Sequence, residues 1–353
     1  MQRFDRIILL TVAGLAAAIA LLILITPVQA PSPPDDVLRL IYLVAGAEDT
    51  TEIWELGWET RNSQAGPVLP GPALNFALAP PDIPGTARPR LILPVGRAEG
   101  GHDLWLVEGR RTQRWLACAP DDCSHAAWAP DGSGAIYTRE SAQIPTLWWV
   151  DGISGETQPF FAEEISQGRY VAWSPGGKRL AYSDPVRGVC VVTLDQEDLL
   201  CIPALMEAPA VWAPDGTTLL VTDMRLSTGY ASNILRVDVV SGEFVDLSQS
   251  PSVEDDAPVW SPDGVWIAFR RRIAGAPMGK QLWLMKSDGS ELHALTKEAD
   301  IHHGPPIWTL DGRTVLTTRY DGESPGSIWA IAIATGEMEL VAAEGYHPRW
   351  LLP

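Results

Sequence analysis

One short phrase, an aromatic residue running into a Pro- and Gly-bearing turn, returns along most of this chain, and no other feature restricts the fold as strongly. It reads AAWAPDG at 126–132, VAWSPGG at 171–177, AVWAPDG at 210–216, VWSPDG at 259–264 and IWTLDG at 307–312. Two weaker copies extend the series, FALAPPD with Phe76 in the Trp position and HPRWLLP with Trp350. The seven marker aromatics, Phe76, Trp128, Trp173, Trp212, Trp260, Trp308 and Trp350, recur every 39 to 52 residues, the period of four-stranded propeller blades.

Each turn is followed by a β-branched, aliphatic or aromatic run such as WIAFRR, then a second run such as QLWLM, a Gly-bearing turn and a short fourth run such as ELHAL. These are strand and hairpin signals, and 31 Gly, 30 Pro and 15 Trp point the same way. LRLIYLV at 38–44 and TEIWEL at 51–56 have no marker strand ahead of them, and Trp350 has no run after it, so the two incomplete ends make one blade. The expected fold is all-β, a seven-bladed β-propeller over residues 38–353 closed by its C-terminal strand. Closure removes the sheet edges that an open stack would expose. Six blades are the alternative, because the Phe76 copy is degenerate.

The strongest copies, Trp260-Ser261-Pro262-Asp263-Gly264 with Ile267-Ala268-Phe269 and Trp173-Ser174-Pro175 with Leu180-Ala181-Tyr182, resemble the TolB-like propeller repeat family. The resemblance covers residues 38–353 and implies the fold; for function it implies little. Similar proteins include periplasmic proteins that act through protein contacts, and the propeller portions of dipeptidyl-peptidase and prolyl-oligopeptidase enzymes. The chain departs from the Tol-system protein in having seven expected blades where that protein has six. It also carries an apolar segment and a Pro-rich linker in place of an N-terminal α/β domain, so a Tol–Pal role does not transfer.

Residues 7–26 form an uncharged apolar run of 20, long enough for a transmembrane helix or signal anchor. Arg3 and Arg6 lie in the short segment 1–6 before it, and after it no Lys or Arg occurs until Arg39, beyond the Pro-rich linker 27–37. The positive-inside bias then places residues 1–6 in the cytoplasm and the propeller outside, periplasmic or extracellular. Val28-Gln29-Ala30 offers the alternative of cleavage near Ala30 and secretion. In such a compartment short cysteine spacings read as disulfides, Cys118 with Cys123 and Cys190 with Cys201. Antiparallel pairing about the turn DQED sets Cys190 opposite Cys201.

A net charge of −18 argues against nucleic acid as a partner, since that affinity comes from Lys and Arg on phosphates. Asp131, Asp215, Asp263 and Asp311 each precede Gly in a turn, which points to local hydrogen bonding and not to a metal ring. Gly322 to Gly326 matches the serine-hydrolase pattern around Ser324, but it joins two strand runs where a nucleophile elbow needs a strand leading into a helix. Gly275 to Lys280 lacks phosphate-loop spacing. No metal or cofactor is expected.

Antiparallel blades gather their short turns on one face and their long connections on the other. The long stretches are 45–52, 223–233, 248–258, 270–281 and 296–306, and the binding candidates on them are Arg225, Tyr230, Arg270, Arg271, Asp255, Asp256, His302 and His303. The expected function is non-catalytic binding of an envelope protein or peptide, or of a glycan, by a membrane-anchored propeller. The alternative is a hydrolase or lyase, or an accessory subunit of one, with a site in the central channel.

Overall fold

The computed structural model describes residues 38–81, 89–161, 167–195, 198–224, 231–322 and 325–352. Every regular element among them is a β-strand. Strands that follow a marker turn are apolar on both faces: in Arg90–Gly96 only Gly96 escapes full burial, and in Thr218–Met224 the five central residues are buried. A strand inside a stack of sheets is covered from both sides, which is why these runs read as continuous and not as alternating. The outermost strands, such as Thr157–Pro159 and Phe244–Asp246, are short and mostly exposed.

Hydrogen bonding divides the strands into six sheets. Five stand apart as four-stranded blades, one of them with its inner strand broken into His302–His303 and Ile307–Trp308, both paired to Thr314–Tyr320. The sixth sheet has eight strands, from Val211–Trp212 to His293–Ala294, and its two halves are joined by a single parallel pairing of Ser232 with Glu254. The Ser232 hydroxyl reinforces that joint by donating to the Asp255 carbonyl at 2.9 Å. Neither seven nor six separate blades are therefore present; a hydrogen-bonded bridge fuses strands that the sequence pattern treats as independent. The C-terminal strand Tyr346–Leu351 pairs antiparallel with Arg39–Ala45 and closes the propeller.

The core lies between neighbouring sheets. One cluster sets Ala181, Val189, Val191 and Ile202 against Trp212, Leu219, Val221 and Val237 of the next sheet. The marker tryptophans add a directional bond across this interface. Trp212 Nε1 donates to the Ala172 carbonyl at 2.9 Å, Trp260 Nε1 to that of Val211 at 3.4 Å, and Trp308 Nε1 to that of Val259 at 3.2 Å. Each acceptor is the residue just before the preceding marker. The belt breaks where Phe76 supplies no N–H, and the Trp128 and Trp173 indole nitrogens are buried without acceptors.

In the marker turns Asp131, Asp215, Asp263 and Asp311 each accept the backbone N–H two residues on, at 2.9–3.0 Å. The glycines that follow them adopt φ of 68–71°, a region that costs glycine nothing. Cys118–Cys123 and Cys190–Cys201 are disulfides, and Cys190 lies opposite Cys201 as the turn arithmetic requires. No helix among the described residues is long and apolar enough to cross a membrane, and the expected span at 7–26 lies outside them.

Candidate functional site

The marker strands enter the propeller from the long-connection face, and there three acids meet three arginines. Glu254, Asp255 and Asp256 pair in register with Arg272, Arg271 and Arg270 on the adjacent strand Trp266–Ile273. Charge complementarity across the ladder lets a run that reads as a solvated loop continue the sheet. Asp255 and Arg271 are buried and bidentate, at 2.7 and 2.6 Å, and the Ser248 hydroxyl donates to Asp255 at 2.6 Å. Asp256 receives Arg270 at 2.7 and 2.9 Å and Lys280 at 2.6 Å. Burial pushes the Asp256 carboxyl up, but Arg270 and Lys280 together outweigh it and hold it below the ordinary carboxylate value. Glu254 takes Arg272 at 2.6 Å.

His302 and His303 form a two-residue strand beside this ladder. Alternation sends them apart: His302 is half-buried, with Nδ1 accepting the Lys280 N–H at 3.3 Å, whereas His303 is fully buried and neither ring nitrogen has a partner. Burial, then Arg319 and His302, lower the His303 imidazole to about 4. Of the sequence candidates, Arg270, Asp256 and His302 thus gather at one rim, while Asp255, Arg271 and His303 lie inside the protein and present no side chain to a partner. They are strand residues, not loop residues. Arg225 and Tyr230 lie outside the described residues.

A second group escaped sequence reasoning. Three residues before the marker aromatic, His125, Tyr170, Ala257 and His347 have φ of 47–54°, each at a break in strand register. Such bulges re-aim side chains. The rings of His125 and Tyr170, on adjacent marker strands, are 4.2 Å apart, and His347 meets Phe76 at 5.4 Å. Ser124 Oγ lies 2.8 Å from His125 Nδ1. Burial, followed by the nearby Arg169 charge, lowers His125 to about 4, so the imidazole is neutral at pH 7. Asp122 is engaged by the backbone N–H and Nδ1 of His102, and Arg169 bridges Glu140 at 2.8 Å and Glu207 at 3.1 Å. The repeated offset from the marker was the available signal.

Immediately before the markers stand Asn75, Ala127, Ala172, Val211, Val259, Ile307 and Arg349. All seven are partly accessible, and Ala172, Val211, Val259 and Ile307 pack against the apolar clusters between neighbouring sheets. Among the described residues no group of three or more His, Cys, Asp or Glu converges to hold a metal ion.

These features define a closed, disulfide-bonded β-propeller protein with a charged rim on its long-connection face. Solved structures agree on that fold. A Mycobacterium tuberculosis puromycin-hydrolyzing peptidase matches with TM-score 0.63 at 14% identity over 88% of this chain and 55% of its own. An oligogalacturonate lyase in complex with manganese matches with TM-score 0.54 at 15% identity, covering 76% of this chain and 73% of the lyase. TolB from Acinetobacter baumannii matches with TM-score 0.50 at 16% identity, covering 88% and 82%. No protein-family model and no curated protein sequence matches the chain.

Proposed function

We propose that the chain is a binding protein built on TolB-like repeats, seven-bladed when the eight-stranded sheet is counted as two, and held outside the cytoplasm by an anchor at residues 7–26. It captures an envelope protein or peptide, or a glycan, on the long-connection face without catalysis. The observation that carries this reading is the rim ladder: Arg270, Lys280 and Asp256, Arg272 and Glu254, and Arg319 and Glu298 at 2.6 Å hold partly accessible charges of both signs in fixed geometry. Rigid, mixed charge at an accessible rim steers and orients a partner at little ordering cost. The two disulfides fit an oxidising compartment.

The test is crosslinking in intact membranes with the full chain, comparing wild type with the double variant Arg272→Glu and Arg319→Glu. A specific partner recovered by wild type and reduced about tenfold by the variant, at an unchanged thermal midpoint, supports the reading. Equal recovery by both refutes this face as the site.

A second reading rests on the Ser124–His125 pair, a part-buried hydroxyl on a neutral imidazole. It makes the chain a hydrolase or lyase, or an accessory of one. Activity lost on Ser124→Ala, with folding intact, would favour it.

A further inference from the structure

Counted from the marker strand, the third strand of five blades carries a tryptophan at the same place: Trp54, Trp105, Trp148, Trp283 and Trp329. In three of these blades an arginine two residues beyond the cross-strand partner covers the ring. Arg139, Arg271 and Arg319 set their guanidinium groups over Trp148, Trp283 and Trp329 at 4.9–5.0 Å. Val44 stands at that position beside Trp54, so the ring lacks the cap its counterparts have. The acceptor of the indole N–H changes with it. Trp148 donates to the Thr146 hydroxyl at 3.0 Å and Trp329 to that of Ser327 at 2.9 Å, whereas Trp54 donates to the Glu52 carboxylate at 2.9 Å. The blade of Trp105 has the same pair of changes, Val95 for the arginine and Asp103 for the acceptor, but there Arg97 and Arg114 neutralise the acid at 2.9 and 3.5 Å. Glu52 has no cationic partner among the described residues.

Trp54 is half-buried and lines a cleft of about 330 Å³, in which Tyr42, Val44, Trp54 and Leu56 on one sheet face residues 341–344 at the end of the neighbouring one. Glu52 stands opposite Val44 in the ladder, and Glu344, on the facing wall, has no partner among the described residues. Arg61, the cation at the cleft, is already engaged: it stacks over Trp58 at 3.9 Å and pairs with Glu339 at 3.1 Å. Two carboxylates and an uncapped indole therefore surround a space that holds a guanidinium in the sister blades. An indole face attracts a cation, and a planar guanidinium stacks on it where a compact ammonium does not. The aliphatic walls at Val44, Leu56 and Val341 suit the stem of such a group.

We propose that this cleft binds a guanidinium on an aliphatic stem, stacked on Trp54 and neutralised by Glu52 and Glu344. The site shares no residue with the charged rim and does not depend on the reading of that rim.

The probe is N-acetyl-arginine amide, titrated into the full-length protein by isothermal titration calorimetry. The citrulline analogue, equal in shape but uncharged, is the comparison and binds at least about tenfold more weakly. Glu52→Thr gives Trp54 the neutral acceptor of a sister blade and weakens binding of the arginine probe about fivefold. Trp54→Leu weakens it about tenfold. Val44→Arg supplies the missing cap from within and abolishes binding, with thermal unfolding to confirm that the variant is folded. The absence of binding by the arginine probe to wild type overturns the proposal, as does equal affinity for the two probes. Unchanged affinity in Glu52→Thr or in Trp54→Leu, or in a folded Val44→Arg, overturns it as well.

Discussion

Replacing His303 with leucine should make the protein less sensitive to mild acid. His303 is fully buried, neither ring nitrogen is paired, and its imidazole is lowered to about 4 by burial, then by Arg319 and His302. In the unfolded chain the same group titrates near about 6.5. Below that pH the unfolded state takes up a proton that the native state refuses, so stability is complete above the unfolded value and drains away as the pH falls toward the folded one. Between pH 7 and pH 5 one such group accounts for a loss of about 2 kcal/mol. With a urea dependence of about 3 kcal/mol per molar, the midpoint moves by about 0.6 M. Urea titrations of wild type and His303→Leu at the two pH values isolate this term, because His125 and His347 remain in both proteins and contribute equally. The variant should lose about 0.6 M less between pH 7 and pH 5. An identical loss in the two proteins would mean that His303 is protonated, or solvated, in the native state.

Breaking the buried pair by Asp255→Ala should cost about 3–5 kcal/mol, since it strands the Arg271 guanidinium, whereas Arg272→Ala at the accessible rim should cost less than about 1 kcal/mol. Chemical denaturation checks both, and equal losses would contradict the burial argument. Trp212→Phe deletes a belt hydrogen bond and leaves the Ala172 carbonyl without that donor, while Trp173→Phe deletes an N–H that has no acceptor. The first should cost about 1–3 kcal/mol more than the second in urea titration. A smaller or reversed difference would show that the belt contributes packing alone.

The repeat made the fold legible because the same physical problem recurs in each copy. A Pro-Asp-Gly turn must form, a large ring must fill the gap between sheets, and both demands leave residues at constant offsets. Closure was legible for the same reason: LRLIYLV lacks a preceding marker and Trp350 lacks a following run, and Leu40 indeed pairs with Trp350. Separation into blades was not, because it turns on one contact. The Ser232–Glu254 bridge depends on where two strands end relative to each other, and no residue pattern within either strand encodes that.

The candidate site was legible only where composition and pairing agree. Taken singly, runs of acids or arginines favour solvent and so point to loops, yet EDD and RRR lie symmetrically about the turn at Asp263 and neutralise one another in register. Comparing both sides of each marker turn for complementary charge would have found the ladder. A subtler signal is departure from the repeat at a constant offset. Where five copies place an aliphatic residue before the marker, Arg349 places a cation, and where the fold inserts a left-handed residue, His125, Tyr170 and His347 place rings instead of the alanine found at 257. Such departures carry a desolvation or backbone cost that the scaffold does not require, because sister positions fill the same geometry without it. A cost borne at one copy and avoided at its equivalents is therefore not a demand of the fold, and His347 and Arg349, both lowered by burial, are the copies where it is borne side by side.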